Sequence, residues 1–241
     1  MRKADGIFFD LGGTLRLEIK DAAYQDAAKR ELHALLHPDT DVETFYSQLT
    51  TRFSIYKSWA VNTRREVGDA VLWGLFLQPE LDESFVKAHC HELSYLFRKT
   101  KGRRETVPHG AEVLWELKAR GYRLGIISNL IGEDAEVKQW ILGEHLEGIF
   151  ETIVLSSVCG LRKPGDAIYR LACDDMGIEP ARCASVGDNL ENDIPGAWRA
   201  GIGLNILYHS PEQRHIVPIT DANRPDFEIW DFRELLHIFE A

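Results

Sequence analysis

A handful of residues in this 241-residue chain are spaced to hold an anion and aim a nucleophile at it. Asp10 ends the apolar run Gly6-Ile7-Phe8-Phe9 and leads into Leu11-Gly12-Gly13-Thr14-Leu15. Ser128-Asn129 follows Gly125-Ile126-Ile127, and Lys163 stands in Leu161-Arg162-Lys163-Pro164. Asp188 and Asp193 lie in Gly187-Asp188-Asn189-Leu190-Glu191-Asn192-Asp193, directly after Ala184-Ser185-Val186. Taken singly, each reads as an ordinary turn, cap or solvated loop residue. Together they share one position, just past the end of an apolar run, and in open parallel sheets ligands bind beyond the carboxyl ends of the strands. Carboxylates brought together there cannot all stay ionised without a cation. A hydroxyl and an ammonium beside them supply a hydrogen bond and a counter-charge to an anion.

The elements that must position these groups follow from hydrophobic rhythm. From residue 105 onward, helical segments near 109–120, 133–142, 164–176, 191–200 and 231–240 alternate with apolar runs at 122–127, 152–155, 183–186 and 204–208. Continuous rather than alternating apolar runs indicate a parallel sheet covered on both faces. Gly6–Phe9 is too apolar to stand alone and joins that sheet. Residues 16–100 carry helical stripes and no convincing strand; Phe45, Leu49, Phe53 and Tyr56 recur at helical spacing, and Leu32, Leu35 and Leu36 form another stripe. The expected architecture is an α/β, Rossmann-like parallel sheet with helices on both faces, built from residues 1–15 and 103–241. A bundle of about four helices, residues 16–102, is inserted after the first strand. The basic run Arg98-Lys99-Thr100-Lys101-Gly102-Arg103-Arg104 reads most simply as a solvated hinge, with a phosphate-attracting rim as the alternative.

Composition narrows the partners. Apolar residues at 44% and charged residues at 27% are ordinary for a soluble globular protein. A formal charge of −10 argues against nucleic-acid binding, which needs a basic face. No apolar stretch approaches the roughly 20 residues that span a bilayer. Met1-Arg2-Lys3-Ala4-Asp5 runs into a strand without the apolar core of a signal peptide, so the expectation is a cytoplasmic protein, monomeric or homodimeric. Cys90, Cys159, Cys173 and Cys183 show no paired spacing and are expected to be reduced thiols. His89-Cys90-His91 resembles a metal cluster only on paper, because neighbours on a helix point about 100° apart.

The order and spacing of these groups resemble the four motifs of the haloacid dehalogenase (HAD) superfamily, with Asp10 as motif one, Ser128 as two, Lys163 as three and Asp188 with Asp193 as four. The inserted helices resemble that family's type-one cap. The resemblance implies a hydrolase, specifically a phosphatase of small phosphorylated metabolites. Asp10 would attack phosphorus and form an aspartyl-phosphate. Mg²⁺ would be held by Asp10, the carbonyl of Gly12 and Asp188, with Asp193 in support. Ser128, Asn129, Lys163 and the Gly13 backbone would hold the phosphate. Position 12 departs from the pattern: the family's second motif-one aspartate is glycine here, which keeps a backbone carbonyl and loses the carboxyl that serves as acid and base. Three readings follow: a Mg²⁺-dependent phosphatase, slow for want of that carboxyl; a catalytically impaired protein that binds a phosphorylated ligand or a partner; and, more distantly, haloacid cleavage, or phosphonate cleavage with Lys57 or Lys29 recruited. Glu18 is a candidate replacement acid. Of the aromatics, Tyr56, Trp59, Trp73 and Phe76 are candidates to line a pocket, though helical spacing favours a core role; Trp115, Trp140, Trp198 and Trp230 are expected to be packing residues.

Overall fold

The computed structural model describes residues 3–132, 134–211 and 217–240. Met1, Arg2 and the expected helix start at residue 133 lie outside them. In chain order the elements are β1 (Gly6–Phe9), β2 (Arg16–Ile19), α1 (Ala22–Leu36), α2 (Val42–Thr63), α3 (Asp69–Val71, continued by a π turn to Leu77) and α4 (Glu83–Lys99). They continue as β3 (Arg103–Thr106), α5 (Gly110–Ala119), β4 (Arg123–Ser128), α6 (Asp134–Gly143), β5 (Phe150–Leu155), α7 (Ser156–Cys159), α8 (Ala167–Met176) and β6 (Cys183–Gly187). The last are α9 (Asp193–Ala200), β7 (Leu204–Tyr208), β8 (Phe227–Ile229) and α10 (Leu235–Ile238).

Among the described residues one six-stranded sheet runs in the order β5-β4-β1-β6-β7-β8, every pair parallel. β1 is central, and its alternation explains why its whole sequence is apolar. Ile7 and Phe9 pack with Val113, Leu117 and Phe232 on one face, while Phe8 packs with Ile168, Tyr169 and Met176 on the other. A strand covered on both sides has no solvent face to mark with polar residues. The helices between β2 and β3 bury a separate core around Leu49, Tyr56, Trp73, Leu93 and Phe97. Their starts are written locally: the side chains of Asp21, Asp41 and Asp82 accept from backbone N–H groups of the first turns of α1, α2 and α4.

Five features depart from the sequence expectation. Arg16–Ile19 is a strand, paired antiparallel with Arg103–Thr106. Four residues carry no readable period, and this ribbon exists because its two ends meet, with Glu18 directly opposite Arg104 and bonded to it at 2.5 Å. The basic run is therefore not a solvated hinge; it is the end of α4 and the start of β3, and the Arg98 side chain is only 11% exposed. β8 adds an edge strand that its mixed sequence Phe227-Glu228-Ile229 does not advertise. The C-terminal helix is shorter than expected, a 3₁₀ turn at Phe232–Glu234 followed by α10. Of the tryptophans expected to pack, Trp115, Trp198 and Trp230 are exposed, Trp230 to 63% where it stacks on His209 at 4.4 Å.

Candidate active site

Asp10 is placed by the last rung of β1: its N–H donates to Val186 O at 2.9 Å, so the carboxylate emerges between the ends of β4 and β6. The chain then turns back sharply, Arg16 N–H donating to Leu11 O at 2.7 Å and Gly13 N–H to Arg16 O at 2.8 Å. Gly13 has φ +91°, and a Cβ there would collide with the Asp188 carboxylate. Glycine is required on both counts. Thr14, fully buried, donates from Oγ1 to Asp188 Oδ1 at 3.4 Å.

Lys163 is the hub. Its ammonium, buried to 3% exposure, donates to Asp10 Oδ1 at 2.6 Å and to Ile127 O at 3.0 Å, and lies 2.7 Å from Asp193 Oδ1. Asn129 sets it there: Asn129 Nδ2 donates to Lys163 O at 3.0 Å while Lys163 N–H donates to Asn129 Oδ1 at 2.9 Å. Both polar ends of that side chain are engaged with the Lys163 backbone, so what Asn129 does in this geometry is position the lysine. Asp193 accepts from Asn189 N–H at 3.0 Å through its other oxygen, and its carbonyl accepts from Tyr169 Oη at 3.0 Å. Ser128, at the end of β4, is buried and faces the same opening.

Asp10, Asp188 and Asp193 each offer an oxygen within 4.8 Å of the others. Three carboxylates thus face one ammonium. Burial pushes the Asp10 carboxyl up to about 6, against the pull of Lys163 and with the push of Asp193. Burial alone would lower Lys163, but the Asp10 and Asp193 carboxylates outweigh it and hold the ammonium well above the ordinary lysine range. All-oxygen donors with surplus negative charge suit a hard divalent cation. The cluster at residues 89–91 has no such geometry: His91 pairs with Asp69, His89 with Glu92, and Cys90 is buried in the helical core.

Gly12 differs from Gly13. A Cβ at Gly12 would meet no heavy atom within 4 Å, and its φ is not in the left-handed region. Neither space nor backbone demands glycine there.

Above the strand ends lies a crevice of about 610 Å³, closed on its far side by residues of the helices and the ribbon, among them Phe53, Tyr56, Lys57, Arg98, Lys101 and Arg104. Glu18 lines it too, but accepts from Lys20 at 2.7 Å and from Arg104. Glu66 is a residue that sequence reasoning passed over. Its side chain is fully buried and accepts from Tyr56 Oη, from Arg162 and, at 3.1 Å, from Ser156 Oγ. It ties the helical unit to the loop that carries Lys163. Burial, then the Glu66 carboxylate, hold the Tyr56 phenol above its ordinary range. No local signal marks Glu66, because its partners come from α2, α7 and the segment before α8. Trp73 is core, bonding Ser94 at 2.9 Å, and Trp59 stacks on Tyr56 outside the crevice. Lys29 is held by Asp26 and Glu43 away from the site.

The family description "haloacid dehalogenase-like hydrolase" matches residues 4–201. Glyceraldehyde 3-phosphate phosphatase of Methanopyrus kandleri is 28% identical over 238 residues, 96% of this chain and 95% of its own. Phosphoserine phosphatase of Thermus thermophilus is 28% identical over 144 residues, 60% of this chain and 55% of its own. Among solved structures, the HAD-hydrolase YfnB of Bacillus subtilis, bound to magnesium, superposes with a TM-score of 0.65 over the full length of both chains at 18% identity, a likeness of fold.

Proposed function

The chain belongs to the haloacid dehalogenase-like hydrolase family, and from that premise we propose that it is a Mg²⁺-dependent phosphatase of small phosphorylated metabolites, working through an aspartyl-phosphate at Asp10. The observation that carries the reading is the hub at Lys163, which holds Asp10 at 2.6 Å and Asp193 at 2.7 Å at the floor of the crevice, with Asp188 alongside. The relatives named for glyceraldehyde 3-phosphate and phosphoserine support a small phosphate monoester as substrate. The helices between β2 and β3 act as a cap over residues 1–15 and 103–241, excluding water from the reacting groups. The four cysteines, none of them in a disulfide, support a cytoplasmic setting.

Asp10 attacks phosphorus: an O–P bond to Asp10 forms, the ester O–P bond breaks, and the leaving oxygen takes a proton from a solvent water. Water then attacks the same phosphorus, releasing phosphate and restoring Asp10. Lys163 fixes the attacking oxygen and offsets charge on the equatorial oxygens; Ser128 and the N–H of Gly12 hydrogen-bond them, the Gly13 N–H being spent on Arg16 O. Asp10, Asp188 and the carbonyl of Gly12 would hold the cation, with Asp193 in support, and when bound it neutralises charge that builds on the transferring group. No carboxyl stands at position 12 to protonate the leaving oxygen. Glu18 and Glu66, the nearby acids of the crevice, are each already bonded to cationic partners. Esters with good leaving groups are therefore the better substrates.

Gly12 also motivates a second reading, a nearly inactive protein that binds a phosphorylated ligand. Hydrolysis of an aryl and an alkyl phosphate, with Mg²⁺ and with EDTA, separates the two. The phosphatase reading expects metal-dependent turnover lost in Asp10→Asn; turnover that persists without metal, or in that variant, defeats it.

A further inference from the structure

A second cavity, of about 270 Å³, opens beside the β2–β3 ribbon. Its walls come from elements around the ribbon: Arg16 of β2, Tyr24 of α1, Arg98 at the end of α4, Arg104 of β3, and Glu136 and Trp140 of α6. Arg98 and Arg104 also line the main crevice, so the two spaces share a wall.

The charges in this wall do not balance. Arg16 and Arg98 both bond a single carboxylate, Glu136, Arg16 Nη2 at 3.0 Å from Oε1 and Arg98 Nη2 on Oε2. Their side chains are 10% and 11% exposed. Two buried guanidiniums thus share one bonded carboxylate, with the Asp69 charge acting on Arg98 and the Glu144 charge on Arg16 from outside the cavity lining, in a protein whose formal charge is −10. The neighbouring cations do not share the deficit: Arg104 holds Glu18, Lys99 holds Glu31 and Arg103 holds Glu105. Donors are left over as well. Arg16 Nε, Arg98 Nε and Arg98 Nη1 are buried with no hydrogen-bond partner among the described residues, a rarity in folded proteins. Burial, with Arg16 next to it, draws the Arg98 guanidinium down to about 10. The Arg16 guanidinium also lies 5.8 Å over the Trp140 ring, which places an aromatic reporter at the site.

We propose that this pocket is a second anion site, in which a phosphate-type oxyanion, free or as a phosphate monoester, completes the Arg16–Arg98 pair and ties α4 and the ribbon to α6. Guanidinium forks match the paired oxygens of such an anion. A dianion there would fix the position of Arg98 and Arg104 in the crevice wall, so occupancy is read at the active site as a change in cap position. The proposal does not depend on the chemistry assigned to Asp10.

Intrinsic fluorescence during titration with inorganic phosphate tests it, in EDTA so that the three crevice carboxylates repel the same anion. Chloride at matched ionic strength is the control. The expected result is a phosphate response in the native chain that disappears in Trp140→Phe. Glu136→Gln, which removes the competing carboxylate and keeps an amide in its place, tightens binding about tenfold, and Arg98→Met weakens it by at least as much. Methyl phosphate added to Asp10→Asn protein separates the sources: a midpoint equal to that of phosphate points to the free ion, a tighter one to an organic phosphate. A response that survives in Arg98→Met overturns the proposal, and so does an equal midpoint in Glu136→Gln and the native chain. Absence of any Trp140-dependent response in both of those proteins overturns it too. If Arg98→Met does not fold, Glu136→Gln still decides.

Discussion

Gly12→Asp tests the mechanism at its weakest point. A Cβ at position 12 enters open space, with no heavy atom within 4 Å, and the backbone there is not left-handed. The variant is therefore expected to fold, and the loss of glycine's freedom in the unfolded chain should stabilise it slightly, by about 0.4–1 kcal/mol. The new carboxyl stands two residues from Asp10 at the edge of the crevice, where Glu18 and Glu66 are already committed to other partners. A positioned proton donor is typically worth about 10²–10⁴ in rate, or roughly 3–5 kcal/mol of barrier. The opposing cost is a further negative charge beside Asp10, Asp188 and Asp193, so the gain is expected only with Mg²⁺ present. The assay is kcat/KM for an aryl and an alkyl phosphate in native and variant protein. The alkyl ester, whose leaving group needs the proton most, should gain the larger factor. Equal gains for both esters, or none for either in a folded variant, would refute the assignment of Gly12 as a missing acid.

Other outcomes follow from the same geometry. Asp10→Asn should abolish turnover while far-UV circular dichroism stays native, because Lys163 retains Asp193 and Ile127 as partners. Gly13→Ala forces a side chain into the left-handed region and against Asp188, so urea unfolding should show a loss of about 1–3 kcal/mol together with lost metal-dependent activity. Glu66→Ala leaves Arg162 and Tyr56 without their shared carboxylate; a destabilisation of roughly 3–5 kcal/mol is expected by the same method. Titrating Mg²⁺ should raise the melting temperature of the native chain, and the rise should be lost in Asp188→Asn, since only the folded state gathers the three carboxylates.

The parts of this protein that local signals describe were readable from the chain. Strand and helix alternation follows from side-chain burial, so β6 and β7 fall where their apolar runs place them. The groups at the strand ends were readable because turn chemistry and strand order bring Asp10, Ser128, Lys163, Asp188 and Asp193 to one edge without any long-range detail. Gly12 was readable as a departure, but only the structure shows that the position has room for a side chain.

What the chain did not reveal depends on which distant groups meet. Arg16–Ile19 becomes a strand only when Arg103–Thr106 arrives beside it, and a basic run that reads as solvated is buried because Glu136 lies across from it. That the Asn129 amide is clamped to the Lys163 backbone, and so positions the lysine, is visible only once the two loops meet. Glu66 has no motif at all, yet joins the helical unit to the segment that carries Lys163. Sequence by itself determined the class of chemistry and the sheet edge that hosts it, because period, turn residues and apolar runs act over a few neighbours. Tertiary structure decided which charges are paired and which donors are left over, because the free energy of a buried charge depends on everything the fold packs around it.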